Sequence, residues 1–119
     1  MVGKWILQGT IAGQETTHDI NIDWVLGHQY VQLREFSREK DSEGRPPYKA
    51  IVFITREETQ NRYKYLWLDN SGKGGLSAQA IGQADRNRFN FQLNDVQMTC
   101  KVCHNYLEHQ FFNCNFDKT

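Results

Sequence analysis

The sequence has no surplus of charge of either sign. Lysine and arginine together number 14, aspartate and glutamate also number 14, and the formal net charge of the 119 residues is zero. Proteins that bind phosphate backbones or anionic membrane surfaces do so through clustered positive charge. The balance therefore predicts that neither a nucleic acid nor a membrane is a partner of this chain.

Long apolar runs are also missing. The longest, residues 50–54 and 24–26, are far shorter than the roughly 20 residues of a transmembrane helix. Met1 leads directly into patterned sequence, without the apolar segment and small-residue cleavage site of a secretory signal. Because the chain also has only three cysteines, an odd number, we expect no disulfide framework and predict a cytoplasmic protein.

Proline is scarce, and its position is informative. The two prolines, Pro46 and Pro47, are adjacent and lie in the longest and most charged connection of the chain. Turn-forming residues elsewhere separate runs of about 7–10 residues, a spacing typical of antiparallel sheets. The length fits one domain, residues 1–119, since a domain commonly has about 100–200 residues.

Within the runs, apolar side chains recur with period two, which is the period of a β-strand. One face of residues 16–24 and one face of residues 63–69 combine aromatic or aliphatic side chains with histidine or aspartate. These faces consist of His18, Ile20, Ile22 and Trp24, and of Tyr63, Tyr65, Trp67 and Asp69. No window has the sustained spacing of an amphipathic helix, so the sequence predicts an all-β protein.

Polar side chains interleaved with aromatic ones favour a roomy, partly polar barrel interior over a sandwich core. In residues 28–37 we assign to the interior the face that carries His28, Tyr30 and Arg34. An antiparallel up-and-down barrel of about eight to nine strands is wide enough to hold one small ligand. The alternative is a closed core that the aromatic side chains fill.

Two stretches resemble a known family. Gly3-Lys4-Trp5 is similar to the Gly-x-Trp signature of the lipocalins, whose Trp closes one end of the barrel. Trp24-x-x-Gly27 followed by Tyr63-x-x-x-Trp67-x-Asp69-x-x-Gly72 resembles the small bacterial lipocalin-like proteins of the calycin superfamily. This resemblance covers about residues 3–93 and implies a meandering antiparallel barrel with an apolar ligand site and no settled activity. From Val96 onward the sequence departs from the pattern, so an incompletely closed barrel stays open as an alternative.

The combined interpretation is a non-catalytic protein that binds a small, mainly apolar ligand in the barrel lumen. Arg34 lies mid-strand among aromatic residues and is the candidate contact for a carboxylate end of the ligand, because a guanidinium binds a carboxylate bidentately. His28 and Tyr30 would assist it. The full set of candidate cavity residues is Trp5, His18, Trp24, His28, Tyr30, Arg34, Tyr65, Trp67 and Asp69.

Two other functions stay open. A lumenal histidine, His18 or His28, could be the base of an isomerase or hydrolase that acts on a small lipophilic substrate. A filled barrel would instead be a structural or interaction module. Asp69 also has a second interpretation, because Asp-Asn-Ser-Gly is a hairpin-turn sequence in which the aspartate commonly caps its own backbone.

The C-terminal cysteines match two metal motifs in part. Cys100-Lys101-Val102-Cys103-His104 has the spacing of c-type haem attachment, and with His109 and Cys114 it offers the ligand types of zinc. However, an extended strand places Cys100 and Cys103 on opposite faces, and neither Gly nor Pro supplies the tight turn of a zinc knuckle. We therefore expect no metal and no cofactor, with Cys100 and Cys114 as small buried apolar residues.

The last run, residues 106–116, has apolar side chains on both faces. Tyr106 and Phe112 lie on one face, and Leu107 and Phe111 lie on the other. A strand with one face in water does not keep aromatic residues on both, and an open sheet edge pairs readily with another chain. Either a neighbouring element covers this strand, or the strand meets its counterpart in a second subunit about a two-fold axis, and we predict the homodimer.

Overall fold

The computed structural model describes residues 2–11, 14–45, 47–57, 62–70, 79–85, 88–93, 96–104 and 110–118. Over these residues the chain forms nine strands and no helix, which confirms the all-β prediction. In order of sequence the strands are β1 (Gly3–Ile11), β2 (Gln14–Val25), β3 (Tyr30–Ser37), β4 (Lys49–Glu57), β5 (Arg62–Asp69), β6 (Gln79–Asp85), β7 (Arg88–Leu93), β8 (Val96–His104) and β9 (Gln110–Lys118).

The strands follow one another in an up-and-down order. Each pairs antiparallel with the next, and β1 also pairs with β9, which joins the two ends of the sheet into a barrel. We call the β1–β9 pair the seam of the barrel. It is parallel, so the prediction that all strand pairs are antiparallel is wrong at the seam. The reason is geometric: when strands alternate in direction and their number is odd, the first and the last run the same way.

Gly9 permits the close approach of the two strands at the seam. It pairs with Cys114 in the register, and a Cβ atom at position 9 would lie 2.3 Å from the Cys114 carbonyl oxygen. A side chain of any size would therefore push the two backbones apart. The absence of a side chain at this position is a condition of the β1–β9 pairing.

One face of each strand forms the interior. On β2 it is the predicted face, with His18, Ile20 and Ile22 buried, and on β5 Tyr65 and Trp67 are buried as expected. The buried apolar core of the described residues comprises Trp5, Leu7, Ile20, Ile22, Ala50, Val52, Tyr65, Trp67, Met98, Cys100, Phe112 and Cys114.

On β3 the interior face is the opposite of the predicted one. Glu35 is buried, and Val31 and Leu33 pack against the core. Tyr30 and Arg34 lie on the outer face instead. Burying two aliphatic side chains is favourable, whereas burying a guanidinium without a carboxylate partner is costly, so the aliphatic pair determines which face turns inward.

Cys100 and Cys114 form a disulfide that links β8 to β9, so the expectation that the cysteines stay unpaired is wrong. The two residues are directly opposite in the register and both are buried. A count of three cysteines does not reveal such a pair, because strand register decides which two side chains meet. Cys103 is a free cysteine.

Strand β9, on which the homodimer prediction depends, has a neighbour on each side. It pairs with β8 through one edge and with β1 through the other. The sheet edge that was expected to recruit a second subunit is therefore occupied within the chain. Tyr106 and Leu107 and the side chain of Phe111 lie outside the described residues, and the homodimer itself stays a prediction.

Candidate functional site

The interior of the barrel contains a cavity of about 610 Å³. This volume falls within the range of about 300–1,000 Å³ that is typical of small-molecule sites. Most of the lining is aliphatic or aromatic and comes from Leu7, Ile20, Trp24, Val31, Leu33, Val52, Ile54, Tyr63, Tyr65, Trp67, Met98 and Phe112, together with the disulfide partners Cys100 and Cys114. The polar lining residues are His28, Gln29, Glu35, Thr55 and Arg56.

One end of the cavity, which we call the mouth, lies beside the turn between β2 and β3 and the last residues of β4. Trp24 at this end is 49% exposed, and its ring stacks on His28 with 5.1 Å between the ring centroids. The hydroxyl of Thr55 donates a hydrogen bond of 3.0 Å to the carbonyl oxygen of Gln29. The Thr55 hydrogen bond connects β4 to the turn between β2 and β3 at the mouth.

A tight turn holds His28 at the mouth. Leu26, Gly27 and His28 all have positive φ angles, of 52°, 64° and 65°. This left-handed region is uncommon for residues other than glycine, so Leu26 and His28 carry backbone strain. The stacking of His28 on Trp24, and the hydrogen bond from the Gln29 N–H to the Leu26 carbonyl at 3.2 Å, stabilise the turn.

The opposite end of the cavity, which we call the deep end, contains a buried carboxylate. Glu35 is 1% exposed, and its Oε1 accepts a hydrogen bond of 2.8 Å from Nδ1 of His18, which is also buried. The other ring nitrogen of His18, Nε2, lies 3.0 Å from Oγ1 of Thr16. A buried carboxylate is costly unless it is hydrogen-bonded, and His18 supplies a hydrogen bond.

Tyr48 covers the deep end from the connection between β3 and β4. Its ring stacks on His18, and its hydroxyl donates to Oδ2 of Asp69 at 3.2 Å and accepts from Nε1 of Trp67 at 3.0 Å. Burial, and then the charge of Glu35, raise the pKa of Tyr48 far above the ordinary tyrosine value. The phenol therefore keeps its proton and remains a donor to Asp69.

Tyr65 brings a second buried phenol to the cavity wall. Burial raises the pKa of Tyr65 to about 12, with a smaller contribution from neighbouring Tyr63. The hydroxyl is therefore neutral over the whole physiological range. Tyr65 can contribute ring surface and a neutral hydroxyl to a ligand, but no negative charge.

The structure brings four of the predicted site residues together around the cavity: Trp24, His28, Tyr65 and Trp67. Two others are interior without lining it. Trp5 is buried and stacks on Phe112 at 4.5 Å, and His18 supports Glu35.

The other three predicted residues do not line the cavity. The Arg34 side chain is 47% exposed on the outer face, with Nη2 3.7 Å from Oδ2 of Asp23, and Tyr30 lies on the same outer face. Asp69 is half-buried at the end of β5, where it accepts the hydrogen bond from Tyr48. Arg34 therefore cannot hold a ligand carboxylate inside the barrel.

Sequence reasoning does not find Glu35, the residue that gives the deep end its polarity. A signal for it exists, because Glu35 shares the period-two face of Val31 and Leu33. Its partner His18 is 17 residues away in the sequence and becomes a neighbour only through the β2–β3 register, in which Glu35 faces Ile20 and Ser37 faces His18. Periodicity within one strand does not contain that information.

The described part of the chain contains no group of three or more His, Cys, Asp or Glu side chains arranged to bind a metal ion. The disulfide uses two of the cysteines that were considered as zinc ligands, while His109 and the side chain of His104 lie outside the described residues. A helix with the length and apolar character of a membrane span is not found among the described residues either.

No family model, no curated protein and no solved structure matches this chain.

Proposed function

We propose that this protein binds a small, mainly apolar ligand in the barrel cavity and does not transform it. The observation that carries the proposal is the cavity of about 610 Å³ with its largely aliphatic and aromatic lining. Protein interiors are normally close-packed, with few voids larger than a water molecule. A cavity of this size in a single small domain therefore points to a ligand, and against the alternative of a filled structural core.

The size and lining of the cavity set the expected affinity. A ligand of about 20 non-hydrogen atoms that gains about 0.4 kcal/mol per atom binds with about 8 kcal/mol, which corresponds to a micromolar Kd. Trp67 and Tyr65 supply aromatic surface in the wall of the cavity, and Trp24 supplies it at the mouth. Binding should therefore change the tryptophan fluorescence.

A lipocalin-like relationship forms part of the same proposal. The up-and-down strand order and the buried Trp5 support it. The parallel pairing of β1 with β9 is a departure, since the resemblance implies antiparallel pairs alone.

A matched pair of variants on one strand tests the binding site. Ile54 lines the cavity, whereas its neighbour Phe53 lies on the outer face of β4. We expect N-phenyl-1-naphthylamine, an uncharged dye that fluoresces in apolar surroundings, to bind the unmodified protein saturably with a micromolar Kd. Ile54→Trp should fill part of the cavity and weaken binding at least about tenfold, equivalent to about 1.4 kcal/mol.

The control variant Phe53→Trp adds an indole outside the barrel and should leave the Kd within about twofold. Absence of saturable binding to the unmodified protein, or equal losses in both variants, would contradict binding in the cavity.

One observation favours a second candidate function, proton transfer to or from a lipophilic substrate. Glu35 lines the cavity and is oriented by a buried histidine, an arrangement that suits a general base. The base would be Glu35 and not His18, because Glu35 is the member of the pair that lines the cavity. Deuterium exchange next to the carbonyl of 2-tetralone, if catalysed by the protein and lost in Glu35→Gln, would favour this function over binding alone.

A further inference from the structure

The two oxygens of Glu35 have different surroundings. Oε1 accepts the hydrogen bond from His18, whereas Oε2 has no hydrogen-bond partner among the described residues. In the described part of the chain, every fully buried side-chain nitrogen and oxygen atom has a hydrogen-bond partner. Glu35 lines the cavity, and Oε2 is neither hydrogen-bonded nor fully buried, so the geometry points to Oε2 as the oxygen that faces the cavity.

We propose that Glu35 Oε2 recognises a hydrogen-bond donor, an N–H or O–H group, at the leading end of an otherwise apolar ligand. The inference rests on the proposed binding function and names the chemical class of its ligand. An acceptor inside a largely apolar cavity forms a strong hydrogen bond with a donor, because the local dielectric is low. A ligand without a donor would leave Oε2 unsatisfied.

His18 acts as a positioning residue in this scheme. Its Nδ1 is hydrogen-bonded to Oε1 of Glu35 and its Nε2 to Oγ1 of Thr16, so both ring nitrogens fix the orientation of the imidazole. The carboxylate cannot turn Oε1 toward the ligand without breaking the 2.8 Å bond to His18. The acceptor is therefore presented to the cavity in a fixed direction, which lowers the entropic cost of binding.

The same geometry disfavours an anionic group at the deep end. A carboxylate there would face the Glu35 carboxylate at short range in low dielectric, where like charges repel strongly. The cationic lining residue, Arg56, is at the mouth, at the other end of the cavity. We therefore expect the polar end of the ligand to be a hydrogen-bond donor, in place of the carboxylate that the sequence suggested.

Three rigid probes of nearly equal shape test this inference. Carbazole has an N–H donor, fluorene has a CH₂ group at the same position, and dibenzofuran has an oxygen acceptor. All three are neutral, so the comparison isolates the hydrogen bond from charge. The unmodified protein should bind carbazole about tenfold more tightly than fluorene or dibenzofuran, as expected for one hydrogen bond to a charged acceptor.

Glu35→Gln should change the order of affinities. The amide oxygen can still accept from His18, which turns the amide NH₂ toward the cavity, so carbazole should lose its advantage and dibenzofuran should bind more tightly than fluorene. Glu15→Gln is the matched control, because Glu15 is an exposed carboxylate of β2, and it should keep the tenfold preference for carbazole.

Each outcome of this experiment is decisive. Affinities of the unmodified protein within about twofold for all three probes would overturn the donor proposal while leaving cavity binding intact. Retention of the carbazole preference in Glu35→Gln would overturn the assignment to Glu35. Failure of all three probes to bind would overturn the binding function together with this inference. The first comparison needs no variant, so it holds even if Glu35→Gln does not fold.

Discussion

At the scale of single residues, polar side chains with defined partners shape the deep end of the cavity. His18 connects Glu35 to Thr16, and Tyr48 connects Asp69 to Trp67. These hydrogen bonds stabilise the deep end, because an unpaired polar group in low dielectric is costly. The chemical identity of each member is therefore constrained by its neighbours as well as by any ligand.

Because of Tyr65, the stability of the fold should decrease as the pH rises through the alkaline range. Burial raises its pKa to about 12 in the folded state, compared with 10.0 for an unperturbed tyrosine. The folded protein therefore holds this proton more tightly than the unfolded chain does. The corresponding stabilisation is fully present below pH 10 and is lost as the pH rises from about 10 to about 12, on the order of 2 kcal/mol in total.

Tyr65→Phe should flatten this pH dependence. We expect the free energy of unfolding, measured by urea titration at increasing pH, to fall less steeply above pH 10 in the variant than in the unmodified protein. Tyr30→Phe is the control, because Tyr30 is exposed on the outer face, and it should leave the slope unchanged. Equal slopes in the unmodified protein and in Tyr65→Phe would show that the phenol does not ionise differently on folding.

At the scale of strands, β2 and β3 show how far period-two patterns can predict an interior face. The outer face of β2 carries Asp19 and Asp23, so its inner face is unambiguous. Each face of β3 has both apolar and charged residues, and a choice between them reverses every side chain. Val31 and Leu33 outweigh the aromatic residues of the other face, because the buried charge that accompanies them has a partner on β2.

The seam between β1 and β9 also escapes prediction from local patterns. A parallel pair between the first and the last strand depends on the number of strands, which no single run reveals. Gly9 is the sequence feature that this seam requires. However, a glycine in a strand has several explanations from the sequence alone, such as a bulge or a close approach of another backbone.

Gly9→Ala should destabilise the seam. The added Cβ would lie 2.3 Å from the backbone oxygen of Cys114, so one strand must shift, at a cost of about 1–3 kcal/mol for overpacking. Thermal unfolding followed by circular dichroism measures the effect. Gln8→Ala, an exposed change on the same strand, should alter the stability by less than about 0.5 kcal/mol. A Gly9→Ala protein as stable as the control would mean that β1 and β9 do not approach this closely.

At the scale of the whole molecule, two links hold the last strand in the barrel. One is the parallel pairing with β1, and the other is the disulfide to β8. Together they remove the exposed edge that would otherwise pair with another chain. The open edge therefore no longer supports the predicted homodimer. Light scattering, compared with the chain mass of 14.0 kDa, measures whether the homodimer forms.

The disulfide should contribute strongly to global stability. Cys100 and Cys114 are 14 residues apart, and closing a loop of about this size in the unfolded chain is worth about 3 kcal/mol in the chain-entropy model. Replacing both cysteines with alanine should lower the free energy of unfolding by about 2–4 kcal/mol. Cys103→Ala removes the free cysteine and should change the stability far less. Equal stabilities of the two variants would contradict a disulfide contribution.

The same bond tests the predicted cytoplasmic location. Disulfides persist in oxidising compartments, whereas cytoplasmic thiols are kept reduced. If the protein is cytoplasmic, acid quenching of intact cells, followed by alkylation of the unfolded protein and mass spectrometry, should label all three cysteines. Labelling of Cys103 alone would show that Cys100 and Cys114 are paired in the cell and would contradict the cytoplasmic location. Because both sulfurs belong to residues that line the cavity, this measurement also determines whether the ligand meets a disulfide or two thiols.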